Sequence, residues 1–309
     1  MEVFRVQRLL DRWRDRMLFV VVASIALILR GNAQFVLLGL GLVTLGVTHG
    51  AVDHELDPSS RESKLFFFSI YCSGIVAFFA LWWGKPGVAL WIFIFYSAGH
   101  FGECQWKQTY ARLPSTFTEL ALARIWGLFA AIFAPAYHLD QALPILRLIL
   151  RDPHLNLSFS IRDAQLFSFA LAGAAVISIL VFEARRQRPK TIALGSTLLL
   201  TFVLVFLPLI SGFLCFFCFW HSWDSIRHQM TARAWSPWEY AKRAIPFTVC
   251  SWLGLFVFVM GLRFELNPAG FWAGLFITLG ALTVSHSQTM RRFYEALQSQ
   301  VENKKPSLP

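Results

Sequence analysis

The sequence contains little charge. Asp, Glu, Lys and Arg make up 15% of its 309 residues, whereas soluble domains carry about 25%. Hydrophobic residues make up 56%, and they include 31 Phe and 12 Trp. A chain of this composition would leave too much apolar surface in water. A soluble domain is therefore excluded, and a polytopic integral membrane protein is predicted.

Cysteine is also sparse, since the five cysteines lie mostly in apolar runs and give no disulfide framework. Cys215 and Cys218 form a CxxC pair. On a membrane helix this spacing places two small side chains on one face, so packing is the favoured interpretation. No cleavable signal peptide is evident, and the arginine-rich segment from Arg5 to Arg16 is interpreted as an amphipathic lead-in.

The net charge of +10 does not indicate a nucleic-acid partner. The basic residues lie in short loops between apolar runs, which is the pattern that orients membrane helices. If the arginine-rich N-terminus is cytoplasmic, the short loops rich in Lys and Arg all fall on the cytoplasmic side. The sequence therefore predicts a multi-pass protein of the inner (cytoplasmic) membrane with both termini in the cytoplasm.

The apolar runs predict an all-α bundle of about ten (eight to ten) transmembrane helices, because each span needs about 20 apolar residues. Pro208 divides a run that is too long for one span. We expect a single transmembrane domain over 1–309, with 1–16 as the lead-in, 297–309 as a flexible tail and an interfacial helix within 138–163. The predicted spans are 17–30, 35–52, 65–83, 87–104, 117–137, 164–183, 191–207, 209–230, 246–263 and 270–289.

Three stretches place ionisable residues near the ends of apolar runs, where such residues are rare and usually mark a site. They contain His49 with Asp53 and His54, His100 with Glu103, and His221 with Asp224 and His228. In each stretch a carboxylate follows a histidine by three or four residues, which puts both on one helix face. The three leading histidines share nearly one membrane depth, so we expect the stretches to meet.

Imidazole is a good ligand for iron, copper and zinc, so histidines from three helices can hold one ion. Asp53 and Glu103 either orient the histidines, which is favoured, or bind a second metal. His221 and His228 are about 10 Å apart along a regular helix, so a straight helix cannot easily supply both. A lone His286 is interpreted as a packing histidine. The competing interpretation is that all these polar groups only join helices by hydrogen bonds.

At these residues the chain resembles the Brp/Blh family, the bacterial and archaeal membrane β-carotene 15,15′-dioxygenases associated with rhodopsins. The similarity extends from about residue 35 to 290. It implies an all-helical, Fe(II)-dependent membrane enzyme that splits the central double bond of β-carotene with O₂ to give two molecules of all-trans-retinal. It also implies membrane lipid as the surroundings of the substrate and a functional link to a microbial rhodopsin.

The iron-binding histidines of the family correspond to His49, His100 and His221. In the family a fourth histidine follows the third by about one turn, where this chain has Ser225, and its next histidine is His228. The resemblance therefore assigns the metal site to His49, His100, His221 and His228, with Asp224 or His54 as alternatives for the fourth ligand. Glu103 and Asp53 are the candidate catalytic residues.

Other functions fit part of the pattern. A haem b electron carrier would use histidines of two helices as axial ligands, and a transporter would use the intramembrane histidines and carboxylates. A desaturase or hydroxylase is disfavoured because the sequence has neither an HxxxH nor an HxxHH box. A rhodopsin is disfavoured because no lysine lies in the middle of a predicted span.

Overall fold

The computed structural model describes residues 16–29, 31–61, 63–110, 112–186, 191–261 and 268–303. Within these residues every regular element is helical, which confirms the predicted all-α class. The helices are α1 Arg16–Ile28, α2 Asn32–Gly41, α3 Asp53–Leu56, α4 Lys64–Gly84, α5 Pro86–Tyr110, α6 Phe117–Tyr137, α7 Leu139–Leu150, α8 Ile161–Arg186, α9 Thr191–Phe206, α10 Leu209–Phe216, α11 Trp223–Arg233, α12 Pro237–Gly261 and α13 Pro268–Asn303.

Within the described residues each predicted span coincides with a helix or a series of helical segments, and Pro208 separates α9 from α10 as expected. Residues 30 and 262–263, at the ends of two predicted spans, lie outside the described residues. Among the described residues, five helical stretches are long and apolar enough to cross a membrane. The count of ten transmembrane helices remains a prediction. The five stretches are Asn32–Leu56, Lys64–Gly84, Phe117–Tyr137, Ile161–Arg185 and Pro268–Ser299.

The outer surface of the bundle is apolar. Large hydrophobic side chains such as Val36, Val76, Trp91 and Phe256 are exposed on it. This arrangement is expected where the surrounding solvent is lipid rather than water.

The structure describes part of the predicted C-terminal tail but almost none of the predicted N-terminal lead-in. The helix α13 continues to Asn303, so 297–303, which were expected to belong to a flexible tail, are helical. The remaining residues 304–309, and residues 1–15 of the predicted lead-in, lie outside the described part of the chain.

Glycines bring α5 and α6 into backbone contact. A Cβ atom on Gly102 would lie 2.1 Å from the Ala123 carbonyl oxygen, and one on Gly127 would lie 1.8 Å from the Ala98 carbonyl oxygen. Because no other residue fits at this distance, the two helices are held closer than side chains would allow. The contact fixes the part of α5 that carries His100.

Two π-helical segments interrupt the regular helices. The helix α2 continues into a π segment over Leu42–Gly46, and α10 continues into one over Phe217–Ser222. A Cβ atom on Gly41 would lie 2.4 Å from Cζ of Phe219, so a side chain there would have to displace that ring where α2 packs on the second π segment. Single π turns are rare and often lie at functional sites. They also shift the side chains that follow relative to a regular helix.

The segment 138–163, for which an interfacial helix is predicted, contains the helix α7. Its buried face consists of Leu139, Ala142, Ile145 and Ile149. The indole Nε1–H of Trp82 donates to the carbonyl oxygen of Ile149 at 2.7 Å, which ties the end of α7 to α4. The buried face of the helix forms part of the wall of the cavity described below.

Candidate metal centre

Four histidines from four parts of the chain meet in the interior. His49 lies on a 3₁₀ turn after the first π segment, His221 on the second π segment, His100 on α5 and His286 on α13. Each is 6% exposed or less. Their ring centroids are 4.8 Å apart for His49–His286 and His100–His221, 4.9 Å for His100–His286 and 5.2 Å for His49–His221. These four residues form a closed ring, named here the histidine cluster.

The imidazole nitrogens of the cluster converge. The Nε2 atoms of His100 and His221 lie 3.1 Å apart. The Nε2 atom of His286 is buried and has no hydrogen-bond partner. One ligand atom from each of His49, His100 and His286 lies within 4.8 Å of the others. A buried nitrogen without a partner is costly, and this cost would be removed by an ion at the centre of the cluster.

Asp53 orients His286. The Nδ1 atom of His286 lies 2.8 Å from Oδ2 and 3.0 Å from Oδ1 of Asp53. The hydroxyl group of Tyr71 donates to Oδ2 of the same carboxylate at 2.9 Å. Since a carboxylate only accepts, Nδ1 of His286 carries the proton and Nε2 presents its lone pair to the cluster. A carboxylate behind a histidine is the usual arrangement at protein metal sites.

The backbone orients His49 in the same way. Its Nδ1 atom lies 2.6 Å from the carbonyl oxygen of Gly46 and 3.1 Å from Oγ of Ser222. A carbonyl oxygen cannot donate, so Nδ1 carries the proton and Nε2 is left with a lone pair. The donor set is thus composed of four imidazoles, two of which are held by fixed partners, and imidazole suits iron, copper or zinc. The residues present therefore fit a transition-metal ion.

Three of the four predicted ligands come together, and the fourth does not. The structure brings His49, His100 and His221 into the histidine cluster, while His228 lies beside the ring of Tyr294, 6.4 Å between centroids. His286 lies where the fourth ligand was expected. Its sequence position gives no signal of this role, because a single histidine forms no motif.

The predicted carboxylates have other partners than their spacing suggested. Asp53 contacts His286 rather than His49. Glu103 lies 3.8 Å from Arg291, and the atom beside Nδ1 of His100 is Sγ of Cys104, at 3.8 Å. The structure therefore gives Glu103 no contact that would orient His100.

The two alternative ligands also lie outside the cluster. Asp224 forms a buried ion pair with Arg16 at 2.5 Å, and the guanidinium group of Arg16 lies 3.8 Å from the centre of the Trp220 ring. The ring of His54 packs against Phe68 and Phe247, with centroid distances of 5.8 and 4.3 Å. The first contact neutralises a charge within the bundle, and the second belongs to the wall of a cavity.

A cavity of about 1160 Å³ adjoins the histidine cluster, and all four histidines line it. Its walls are mainly aliphatic and aromatic. In one direction it extends beneath the buried face of α7. In the other it reaches the facing sides of α4 and α12. Wall residues include Phe67, Ile75, Phe79, Leu90, Ile94, Ala134, Leu146, Phe213, Leu255, Phe276 and Leu279.

The fold and the site define an all-helical protein of membrane character with a buried histidine cluster, fit for a transition metal, beside a long apolar cavity. Residues 40–294 match the sequence model of the family described as "Beta-carotene 15,15'-dioxygenase". The chain belongs to this family, and its membership confirms the resemblance drawn from the motifs.

A relative from the uncultured marine bacterium 66A03, named beta-carotene 15,15'-dioxygenase, is 24% identical to the chain over 262 residues. The match covers 79% of this chain and 88% of the relative. No solved structure matches significantly. The family name makes the chain an enzyme of the carotenoid dioxygenase class.

Proposed function

We propose that this chain is an iron-dependent oxygenase that cleaves the central double bond of β-carotene with O₂ and releases two molecules of all-trans-retinal. The observation that carries the proposal is the position of the histidine cluster in the wall of the long apolar cavity. A hydrocarbon that fills the cavity would lie directly beside the imidazole nitrogens of the histidine cluster.

The ion would be held by His49, His100, His221 and His286. Bound ferrous iron supplies the redox chemistry that allows O₂ to react with a closed-shell alkene, and imidazole ligation suits it. The two oxygen atoms of O₂ enter the two aldehydes, so the overall reaction needs no further reductant or proton source. The protein therefore has to hold the reactants and exclude water.

The residues behind the cluster set its geometry. Asp53 keeps the proton of His286 on Nδ1, and Tyr71 holds Asp53 in place. The carbonyl oxygen of Gly46 does the same for His49. Partners of this kind fix the tautomer and the ring orientation of a metal-binding histidine. In this assignment Asp53 is a positioning residue.

The substrates fit the surroundings. Carotenoids dissolve in the hydrocarbon of a bilayer, so an enzyme of the bilayer can take them from membrane lipid. The apolar walls keep water from the reacting bond. The distribution of Lys and Arg favours the cytoplasmic membrane with both termini in the cytoplasm, and retinal as the product favours a functional link to a microbial rhodopsin.

The test is expression in a host that accumulates β-carotene, followed by extraction and chromatography of the pigments. We expect retinal with the native chain and none above background with His100→Ala. The matched control is His154→Ala, because His154 is exposed and lies outside the cluster. Unchanged β-carotene in cells that contain native protein and sufficient iron would overturn the proposal.

Measurements on the purified protein distinguish the proposed oxygenase from the two alternative functions. A haem b carrier would show an intense Soret absorption, whereas a site of non-haem iron would not. A transporter would keep its activity after removal of the metal, whereas the proposed enzyme loses retinal formation on chelation and regains it with ferrous iron.

A further inference from the structure

The cavity does not end at the histidine cluster. It is also lined by Phe68 and Cys72 of α4 and by Phe247, Cys250 and Gly254 of α12. Both helices pack against α13. Cys72, Cys250 and Gly254 are exposed as well as cavity-lining. The cavity therefore reaches the outer surface of the bundle between α4 and α12.

The rings of His54, Phe68 and Phe247 lie at one edge of this opening. Phe68 and Phe247 face each other with parallel planes, 11° apart, and centroids separated by 5.8 Å. The ring of His54 lies within 5.8 Å of both. Cys72 and Cys250 lie about one helical turn further along α4 and α12. The two flat phenyl rings would contact a conjugated chain without a polar group of their own to desolvate.

We propose that the opening between α4 and α12 is the lateral portal through which one half of a linear carotenoid passes between the bilayer and the site. The inference rests on the proposed function. Central cleavage requires two equal halves of the substrate to extend from the histidine cluster in opposite directions. The space beneath α7 accommodates one half, and the opening bordered by Phe68 and Phe247 accommodates the other.

A substitution that blocks the portal tests this proposal without disturbing the fold. A Cβ atom added to Gly254 meets no atom within 4 Å, so Gly254→Phe introduces a ring into open space at the portal. Gly173→Phe on α8 is the matched control, because Gly173 is equally open and exposed but does not line the cavity. We expect Gly254→Phe to lower the rate of retinal formation about 10-fold or more, with the iron content unchanged. Gly173→Phe should cleave at the native rate.

A second measurement does not depend on turnover. Cys72 and Cys250 are exposed at the portal, whereas Cys104, Cys215 and Cys218 are buried and serve as internal references. Purified protein is treated with N-ethylmaleimide without O₂, so that β-carotene is bound and not consumed, and each thiol is followed by mass spectrometry. We expect β-carotene to slow alkylation of Cys72 and Cys250 in the native chain and not in Gly254→Phe.

The results of the two experiments distinguish a failure of the portal proposal from a failure of the proposed activity. Equal alkylation with and without β-carotene, together with native cleavage by Gly254→Phe, would overturn the portal even if retinal forms. Protection of both cysteines in a native chain that forms no retinal would support the portal and overturn the proposed activity. Absence of both protection and retinal would overturn both.

Discussion

The Nε2 atoms of His100 and His221 lie 3.1 Å apart, although the two residues are 121 positions apart in the chain. Two nitrogens that bind one ion at roughly right angles, each about 2 Å from it, lie about 3 Å apart. The separation therefore fits shared coordination as well as a hydrogen bond between one protonated and one bare nitrogen. If the two histidines share an ion, removing another histidine of the cluster should weaken iron binding, whereas a simple hydrogen bond between them predicts no such effect.

His286→Ala distinguishes them. If His286 is a ligand, the variant loses a donor and binds iron at least about 10- to 100-fold more weakly, since even groups that only orient ligands have effects of this size. We expect the iron content of the purified variant, measured by mass spectrometry after reconstitution, to fall as its affinity for iron falls. The matched control is His228→Ala, which we expect to retain iron. Retention by His286→Ala with loss in His228→Ala would restore the assignment made from sequence.

Asp53→Asn tests the orientation of His286. The amide keeps the shape of the carboxylate but removes its charge and presents donors as well as an acceptor. We expect iron affinity, measured by competition with a chelator, to fall about 10- to 100-fold, and Tyr71→Phe to have a smaller effect in the same direction. Glu103→Gln serves as the contrast, because Glu103 lies beside Arg291. A larger effect at Glu103 than at Asp53 would contradict the orientation assigned here.

Long-range contacts explain what the sequence could not provide. The positions of the helices could be predicted from the apolar runs and from Pro208, because a helix depends on local composition. The structure does not pair each histidine with the carboxylate three or four residues later. After His49 the irregular backbone breaks the helical period, and packing gives Glu103 and Asp224 other partners. Asp53 binds His286 of α13, and Asp224 binds Arg16 of α1. These contacts follow from the arrangement of helices, which no local pattern records.

Gly102→Ala tests whether the α5–α6 contact positions the site. The added Cβ atom would meet the Ala123 carbonyl oxygen at 2.1 Å, so the helices must separate. We expect faster thermal inactivation in detergent and reduced iron content, because His100 lies two residues away. Gly99→Ala on the same helix is the control, since its Cβ atom meets nothing within 4 Å. Equal behaviour of the two variants would show that the contact is dispensable.

The ion pair of Arg16 and Asp224 is buried on both sides, with 7% and 6% exposure. Removing one partner of such a pair leaves an uncompensated charge and costs about 3–5 kcal/mol, whereas removing both is often nearly neutral. We expect Arg16→Met to shorten the half-life of the purified protein at elevated temperature, and Arg16→Met with Asp224→Asn to recover most of the loss.

The same variants decide whether Asp224 has a part in metal binding. Since Asp224 is paired with Arg16 and lies outside the histidine cluster, the double variant should keep the native iron content per folded molecule. The ring of Trp220, which lies under the Arg16 guanidinium group, is adjacent to His221, so a methionine that fills the same space preserves the packing behind that histidine. Loss of iron from the recovered double variant would mean that Asp224 acts on the metal and not only on Arg16.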